Sequence, residues 1–255
     1  CSDTPGFLAN RVGVFAIQCA LHKAFEYKLS PTEADAFFGR PLGLPKTGVF
    51  GLYDLIGIDL MADVVKSLVS ILPENDAFHN YSSQIKFMTK MIANGQTGNK
   101  NEKGFYKQIG DERQVIDLSN GSYGPHERLK TPLLEEAEKI GISFIIKNTS
   151  PYGLYVWDVI SETLCYAASL VPEVTDDLTQ IDDAMKLGYN WVQGPFELLD
   201  EIGIEYFVDR LQADGRDVPE FLLKGINNKF YINSKSGLSS LSPSGNLKPI
   251  IRPDG

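Results

Sequence analysis

An internal repeat constrains the fold of this chain more than any other feature of its sequence. Residues 194–204 match residues 48–58 at seven of eleven positions without a gap, at an offset of 146. The same offset relates Thr4-Pro5, near the start of the chain, to Ser150-Pro151. Two well-separated anchors that share one offset indicate duplication of a whole structural unit rather than a chance match.

The order of the repeated motifs persists further along the chain, although the copies come to differ in length. Phe105-Tyr106 reappears as Phe230-Tyr231. We therefore predict a first copy (residues 1–130), a connector (131–148) and a second copy (149–255, including a polar tail). Because one copy carries long helices with a single apolar face, we expect the two copies to pack as an internal pseudo-dimer.

Each copy is predicted to be mainly helical and to be followed by a short β-hairpin. An apolar stripe at steps of three and four predicts a long helix over 7–28, with Phe7 and Phe15 in the core. Ser30-Pro31 begins another helix, and Gly57 closes a third. The Gly104–Leu118 segment predicts a hairpin that turns at 110–112.

Composition excludes several classes of function. With 33 acidic and 24 basic residues among 255, the net charge of −9 argues against binding to nucleic acid or to anionic membranes. Three scattered cysteines form no zinc motif and no disulfide framework, which favours a reducing cytoplasm. No apolar stretch approaches the roughly 20 residues of a membrane span.

Common catalytic motifs are also missing from the sequence. There is no Gly-x-Gly-x-x-Gly dinucleotide fingerprint and no Gly-x-Ser-x-Gly elbow. None of His22, His79 and His126 has a metal-ligand partner at helical spacing, so no metal site is predicted. The chain begins with Cys1, and we expect trimming from a longer polypeptide rather than lipoprotein processing.

Two motifs carry a resemblance to a known family. Residues 3–11 (Asp-Thr-Pro-Gly-Phe-Leu-Ala-Asn-Arg) and 194–200 (Gly-Pro-Phe-Glu-Leu-Leu-Asp) resemble the C-terminal domain of 3-hydroxyacyl-CoA dehydrogenases. The resemblance implies a helical domain like the C-terminal domain of 6-phosphogluconate dehydrogenase. Tandem copies resemble multifunctional fatty-acid β-oxidation proteins, some of which carry an enoyl-CoA hydratase module.

The resemblance implies an NAD-dependent oxidation of 3-hydroxyacyl-CoA to 3-oxoacyl-CoA. The NAD site and a catalytic His–Glu pair lie in a preceding Rossmann domain of the family, so the isolated chain is expected to be inactive and to bind no cofactor. One family active-site residue maps onto this chain, Asn10, whose amide can donate to a ketone or accept from a hydroxyl without titrating. By the repeat offset, Val156 and Trp157 replace Asn10 and Arg11, which makes the first copy the catalytic side and the second a structural one.

Other candidates follow more weakly from the same resemblance. Pro45, Thr47 and Phe50 match the family's loop near the acyl chain, although Val49 and Gly51 depart from its pattern. Core packing is the alternative for these residues. Glu197 and Asp200 are interpreted as structural acids early in a helix.

Two other functions stay open at this stage. One is a non-catalytic helical scaffold, which a start codon directly before Cys1 would favour. The other is a different dehydrogenase of the same superfamily, against which the Gly104-Phe105-Tyr106 segment argues.

Overall fold

The protein is mainly helical, as predicted. The computed structural model describes residues 6–235 and 237–251. Its α-helices are α1 (Leu8–Glu26), α2 (Pro31–Phe37), α3 (Gly48–Ile56), α4 (Ile58–Ile71), α5 (Lys86–Ala93), α6 (Pro132–Ile140), α7 (Ile142–Ile145), α8 (Pro151–Ser169), α9 (Leu178–Tyr189), α10 (Pro195–Ile202), α11 (Ile204–Ala213) and α12 (Glu220–Gly225). Its strands are β1 (Tyr106–Ile109), β2 (Glu112–Ile116), β3 (Tyr123–Pro125), β4 (Tyr231–Ser234), β5 (Gly237–Leu241) and β6 (Leu247–Pro249).

The first long helix forms where its apolar stripe predicts it. Val12, Phe15 and Cys19 on this stripe are all buried, which confirms Phe15 as a core residue. The prediction for Phe7 was wrong, because its side chain is 81% exposed. Phe7 lies one residue before α1, where the helical period no longer places it on the apolar face. Thr4-Pro5, the first anchor of the repeat, lies outside the described residues.

Local capping explains where α2 and α3 begin and end. The Ser30 hydroxyl accepts from the Glu33 amide at 3.3 Å, and the Glu33 carboxylate accepts from the Ser30 amide at 2.9 Å. This reciprocal pair is a capping box. Gly57 ends α3 with φ +108°, a conformation that L side chains rarely adopt.

Each predicted hairpin is extended by a third strand, which corrects the prediction of a hairpin alone. Strands β1 and β2 pair antiparallel around the two-residue turn Gly110-Asp111, and β3 then pairs with β2. Strands β4, β5 and β6 repeat this arrangement in the second copy. The Asn120-Gly121 turn signal returns the chain as β3.

Two carboxylates, the buried Asp54 and the half-buried Asp35, organise the first copy. Asp54 on α3 accepts hydrogen bonds from the amides of Phe105 and Tyr106, at 2.8 and 2.7 Å. Asp35 on α2 accepts from the amide of Phe50 at 2.7 Å and from the Tyr106 hydroxyl at 2.9 Å. The carboxylates thereby fix the start of β1 against α2 and α3, since buried backbone amides need acceptors.

The second copy contains the same two devices. Asp200 accepts from the amides of Phe230 and Tyr231, at 2.8 and 2.9 Å. Asp182 accepts from the amide of Phe196 and from the Tyr231 hydroxyl, each at 2.9 Å. The element order and these hydrogen bonds therefore recur in both halves of the sequence.

The contacts divide the chain into two compact units that differ from the two predicted copies. One unit contains the chain up to Gly13 together with Ile160 onward, and the other is Val14–Val159. Helices α1 and α8 each contribute residues to both units. The predicted connector is itself partly helical, because it contains α6 and α7. No helix among the described residues is both long and apolar enough to cross a membrane.

Candidate functional site

Asn10 is exposed on the first turns of α1, in the unit that contains Ile160 onward. Its Oδ1 atom accepts a hydrogen bond from the hydroxyl of Tyr189 at 3.3 Å. Burial raises the pKa of Tyr189 to about 12, so this hydroxyl keeps its proton and acts as a donor at neutral pH. The amide of Asn10 is thus held through its oxygen, and its NH₂ group is left to donate elsewhere.

Gly13 explains how Tyr189 reaches Asn10. A Cβ atom added at Gly13 would lie 2.1 Å from Cζ of Tyr189, so the ring occupies space that only glycine leaves open. A Cβ at Gly188, at the end of α9, would lie 3.4 Å from Cβ of Ala9. The start of α1 therefore packs closely on the end of α9. The sequence analysis missed Tyr189, because no pattern in a single sequence links residues so far apart.

The neighbouring residue Arg11 is buried, with only 2% of its surface exposed. Its Nε donates to the Tyr166 hydroxyl at 3.2 Å, and its Nη1 lies 3.3 Å from a carboxylate oxygen of Glu173. Trp157, at the matching position of the second copy, is equally buried. Both positions are therefore used for packing.

Asn10 and its counterpart Val156 differ in a way that Arg11 and Trp157 do not. The Val156 side chain is 1% exposed, which confirms the prediction that it packs in the core. Asn10 is exposed instead. An exposed amide with one hydrogen bond to a tyrosine contributes little to the core.

The loop candidates Pro45, Thr47 and Phe50 lie in the Val14–Val159 unit. Pro45 and Thr47 are half-buried, and Thr47 precedes the first residue of α3. Phe50 is fully buried and packs edge-on against Phe105, with 4.6 Å between ring centroids. Phe50 is therefore a core residue, and contact of this loop with an acyl chain stays a prediction.

Thr47 also lines a cleft that the sequence analysis did not anticipate. This cleft has a volume of about 1040 Å³ and is enclosed by α2, the start of α3, the β1–β2–β3 sheet and α6. Asp35 and Asp54 line its floor, and burial raises their pKa values to about 7 and about 6. Because their oxygens already accept backbone and tyrosine hydrogen bonds, these two acids are part of the framework.

A ring network forms one wall of the cleft. The Arg113 guanidinium lies over the Tyr106 ring, with 4.2 Å between Cζ and the centroid. His126 packs edge-on against the same ring at 5.3 Å, and its Nδ1 lies 3.0 Å from the Thr32 hydroxyl. Burial, together with the charge of Arg113, lowers the pKa of His126. His126 is therefore predominantly neutral at neutral pH.

The prediction that Glu197 and Asp200 are structural acids is confirmed. Glu197 accepts from the Gly194 amide at 2.8 Å and lies 2.7 Å from Nζ of Lys186. Asp200 holds the start of β4, as described above. Neither carboxylate is available as a general acid or base.

The sheets of the described residues do not form a Rossmann dinucleotide site. A Rossmann site needs parallel strands with a glycine-rich turn before a helix, whereas both sheets of the described chain are three-stranded and antiparallel. Within residues 6–235 and 237–251, no group of three or more His, Cys, Asp or Glu side chains is arranged to hold a metal ion.

Comparison with known proteins places this arrangement in a family. Residues 6–108 match the family model described as "3-hydroxyacyl-CoA dehydrogenase, C-terminal domain". This region contains Asn10, Asp35, Asp54 and Phe105 of the site and its framework. Residues 6–108 therefore belong to the 3-hydroxyacyl-CoA dehydrogenase C-terminal domain family, which confirms the resemblance predicted from the sequence.

Several relatives extend the likeness beyond the matched domain. A putative fatty acid oxidation complex trifunctional enzyme of Rickettsia prowazekii is 42% identical over 78% of this chain and 27% of its own length. A probable 3-hydroxyacyl-CoA dehydrogenase of Bacillus subtilis is 34% identical over 90% of this chain and 30% of its own length. The chain thus spans less than a third of each of these two relatives.

A solved structure shows a similar fold at low sequence identity. The 3-hydroxybutyryl-CoA dehydrogenase of Escherichia coli K12 aligns with a TM-score of 0.57 and 17% identity. The alignment covers 88% of this chain and 60% of that one. At this identity the likeness concerns the fold alone.

Proposed function

We propose that this chain is the C-terminal portion of an NAD-dependent 3-hydroxyacyl-CoA dehydrogenase of fatty-acid β-oxidation. The reaction is the oxidation of 3-hydroxyacyl-CoA to 3-oxoacyl-CoA. The observation that carries the proposal is the exposed Asn10 amide, which lies in the family-matched segment and is oriented by Tyr189. The two long relatives, named as a trifunctional enzyme and as a dehydrogenase, support the same reaction class.

Asn10 would act as a neutral hydrogen-bonding group beside the reacting carbon. Its Oδ1 is held by the Tyr189 hydroxyl, so its NH₂ donates to the substrate oxygen. Such a donor stabilises the charge that develops on that oxygen as a hydroxyl becomes a ketone. An amide does this at any physiological pH, because it does not titrate.

The duplication supports a division of labour between the two copies. The recurring Asp54 and Asp200 devices support two tandem copies of one domain, with boundaries near 1–130 and 149–255. Asn10 belongs to the first copy, and Val156 replaces it in the second. The packing of the copies as a pseudo-dimer is part of this proposal.

The remaining chemistry is assigned to parts outside this chain. Because the described sheets are antiparallel and form no Rossmann site, we assign the dinucleotide, the catalytic base and most contacts with coenzyme A to a preceding domain. The name of the Rickettsia relative supports further modules, of which an enoyl-CoA hydratase is the one we propose. Cys19 and Cys165 are not joined in a disulfide, which supports a reducing cytoplasm as the location.

The Asn10→Ala variant of the full-length protein tests the proposal. Removing one oriented donor is expected to lower kcat at least tenfold, by analogy with oxyanion donors that contribute about 10²–10³. The assay follows NADH consumption with acetoacetyl-CoA, and Asn94→Ala, a change at the end of α5, is the matched control. Wild-type turnover by Asn10→Ala would assign the residue a structural role.

The isolated 255-residue chain provides a second test. We expect no reduction of acetoacetyl-CoA by NADH with this chain alone. Turnover by the pure chain would show that the catalytic base and the NAD site lie within it, which contradicts the proposed division.

A further inference from the structure

The cleft of the Val14–Val159 unit concentrates positive charge in an acidic protein. Arg40, Lys46, Lys107 and Arg113 line this cleft, in a chain whose net charge is −9. Among the residues that the structure describes, no carboxylate forms a salt bridge with any of these four cations. A fifth cation, Arg128, is 3.7 Å from Glu138.

The acidic residues of the cleft compensate part of this charge, since Arg113 attracts the carboxylate of Asp54. Asp54 is buried and Asp35 is half-buried, and the oxygens of both accept hydrogen bonds from the framework. Glu138 is paired with Arg128. Glu102 also lines the cleft, and it neither accepts these framework hydrogen bonds nor pairs with Arg128. Inside a concave surface the electrostatic potentials of several cations add, and the resulting positive potential raises the local concentration of anions.

Two of the cations are also held in place by rings. Nζ of Lys107 lies 4.1 Å from the centroid of Tyr123, and Arg113 lies over Tyr106 as described above. A guanidinium that stacks by its face keeps its N–H edge free to bind a planar or tetrahedral anion in bidentate fashion. The rings therefore orient the cations without neutralising them.

The second copy shows that the fold does not need these residues. In the sheets, Lys107 and Arg113 occupy the ladder positions that Ile232 and Leu238 occupy in the second copy. The strand pairing sets this correspondence. Arg113 pairs with Gln108, the third residue of β1, and Leu238 pairs with Asn233, the third residue of β4.

The same replacement occurs at two further positions of the cleft. His126 and Ile250 are matched, because their amides donate at 2.9 Å to the carbonyls of Arg113 and Leu238. Lys46 matches Val192 by the offset of 146. Four basic or polar side chains of the first copy thus correspond to four aliphatic side chains at equivalent backbone positions of the second copy.

From these contacts we infer that the cleft of the first copy binds a phosphate-bearing small molecule of nucleotide size. The volume of about 1040 Å³ lies at the upper end of ligand sites, which span roughly 300–1,000 Å³. The mixture of arginine forks and lysine point charges is typical of phosphate recognition. The inference does not depend on the dehydrogenase reaction or on Asn10.

Calorimetric titration of the 255-residue chain with ADP, coenzyme A, inorganic phosphate and adenosine tests this site. We expect saturable binding of ADP and coenzyme A, weaker binding of inorganic phosphate and none of adenosine. Much tighter binding of coenzyme A than of ADP would identify a coenzyme-derived ligand, and similar binding of both a free nucleotide. Either result supports the site.

Variants that import the second copy's residues make the test specific. Arg113→Leu and Lys107→Ile introduce the residues found at the equivalent positions of the second copy. Folding is therefore expected to be preserved, and circular dichroism checks it. Each is expected to weaken ADP binding about tenfold, as the loss of one charge-assisted contact does. Lys66→Leu removes one exposed charge of α4 outside the cleft and is expected to leave binding unchanged.

The inference is overturned by either of two results. One is the absence of saturable binding of ADP and coenzyme A at millimolar concentration. The other is binding that folded Arg113→Leu retains in full, or that Lys66→Leu weakens equally. Neither result affects the Asn10→Ala test of the proposed dehydrogenase function.

Discussion

The two copies share a framework and differ in the side chains placed on it. Asp54 and Asp200 receive the amides at the start of β1 and β4 in the same way. Asn10 and Arg113, in contrast, correspond to Val156 and Leu238. The comparison separates residues that the fold requires from residues that only one copy needs.

A difference in burial also exists within the shared framework. Asp54 is 2% exposed, and a Cβ added at Gly104 would lie 1.9 Å from its Oδ1. Asp200 is half-buried. Water can therefore accept part of the hydrogen bonding of the backbone amides that Asp200 binds, and much less of that of the amides that Asp54 binds. Three experiments test this comparison between the copies.

The largest effect is expected from removal of the framework carboxylates. Asp54→Ala leaves two buried amides without an acceptor, and each costs about 1–3 kcal/mol, so the free energy of unfolding should fall by about 3–5 kcal/mol. Asp200→Ala should cost less, because its site is more exposed. Urea denaturation of the chain measures both, with Asp63→Ala on exposed α4 as control. Equal losses for Asp54→Ala and Asp200→Ala would remove the distinction between the copies.

A smaller effect is expected from the second copy's contribution to the site of the first. Tyr189→Phe removes the hydroxyl that holds Oδ1 of Asn10, and one such hydrogen bond contributes about 0.5–1.5 kcal/mol. In the full-length enzyme kcat should fall about 2- to 10-fold, with KM unchanged.

Two controls accompany the Tyr189 variant. Tyr152→Phe, whose hydroxyl bonds Glu33 instead, is the matched substitution and should not change kcat. Tyr189→Phe should cause no further loss in an Asn10→Ala background, because the hydroxyl acts through that amide. An additive loss would show that Tyr189 acts independently of Asn10.

A third effect is expected in the pH dependence of stability. Burial raises the pKa values of Asp35 and Asp182 to about 7, from an ordinary value of 3.8. Between about pH 4 and pH 7 the unfolded chain loses these protons while the folded chain keeps them, so each carboxyl lowers stability as the pH rises. Above about pH 7 the effect levels off.

Asparagine variants isolate this contribution. The stability lost through Asp35→Asn or Asp182→Asn should be greatest near pH 4 and should shrink toward pH 7. Urea denaturation across this range measures the difference from wild type, and the two copies should give curves of the same shape. A loss that grows with pH would show that the folded state prefers the ionised carboxylates.

Much of the fold could be predicted from local sequence. The stripe of α1, the Ser30 capping box and the Gly57 stop all act over a few residues, and each was predicted. The exposure of Phe7 was not, because periodicity does not reveal where a helix begins when its first residues carry no visible cap. The third strands were also missed, since a short strand such as β3 has little pattern of its own.

Residues of the candidate site were predicted from the sequence only where they lie within a recognisable motif. Asn10 lies within such a motif, whereas Tyr189 lies far along the chain and belongs to the other copy. The cations of the cleft are scattered from Arg40 to Arg128 and form no sequence cluster. Asp35 and Asp182 each precede a copy of the repeated glycine motif, which begins at Gly48 and at Gly194.

The sequence by itself determined the duplication, the helical class, the caps and the family, because these depend on local periodicity and on short motifs. The tertiary structure decided which acids are buried, which tyrosine orients Asn10 and which cations face one cleft. These features depend on packing between residues up to 179 positions apart, as for Tyr189 and Asn10. Hydrogen bonds and burial act through space, so their partners are set only once the helices and strands have packed.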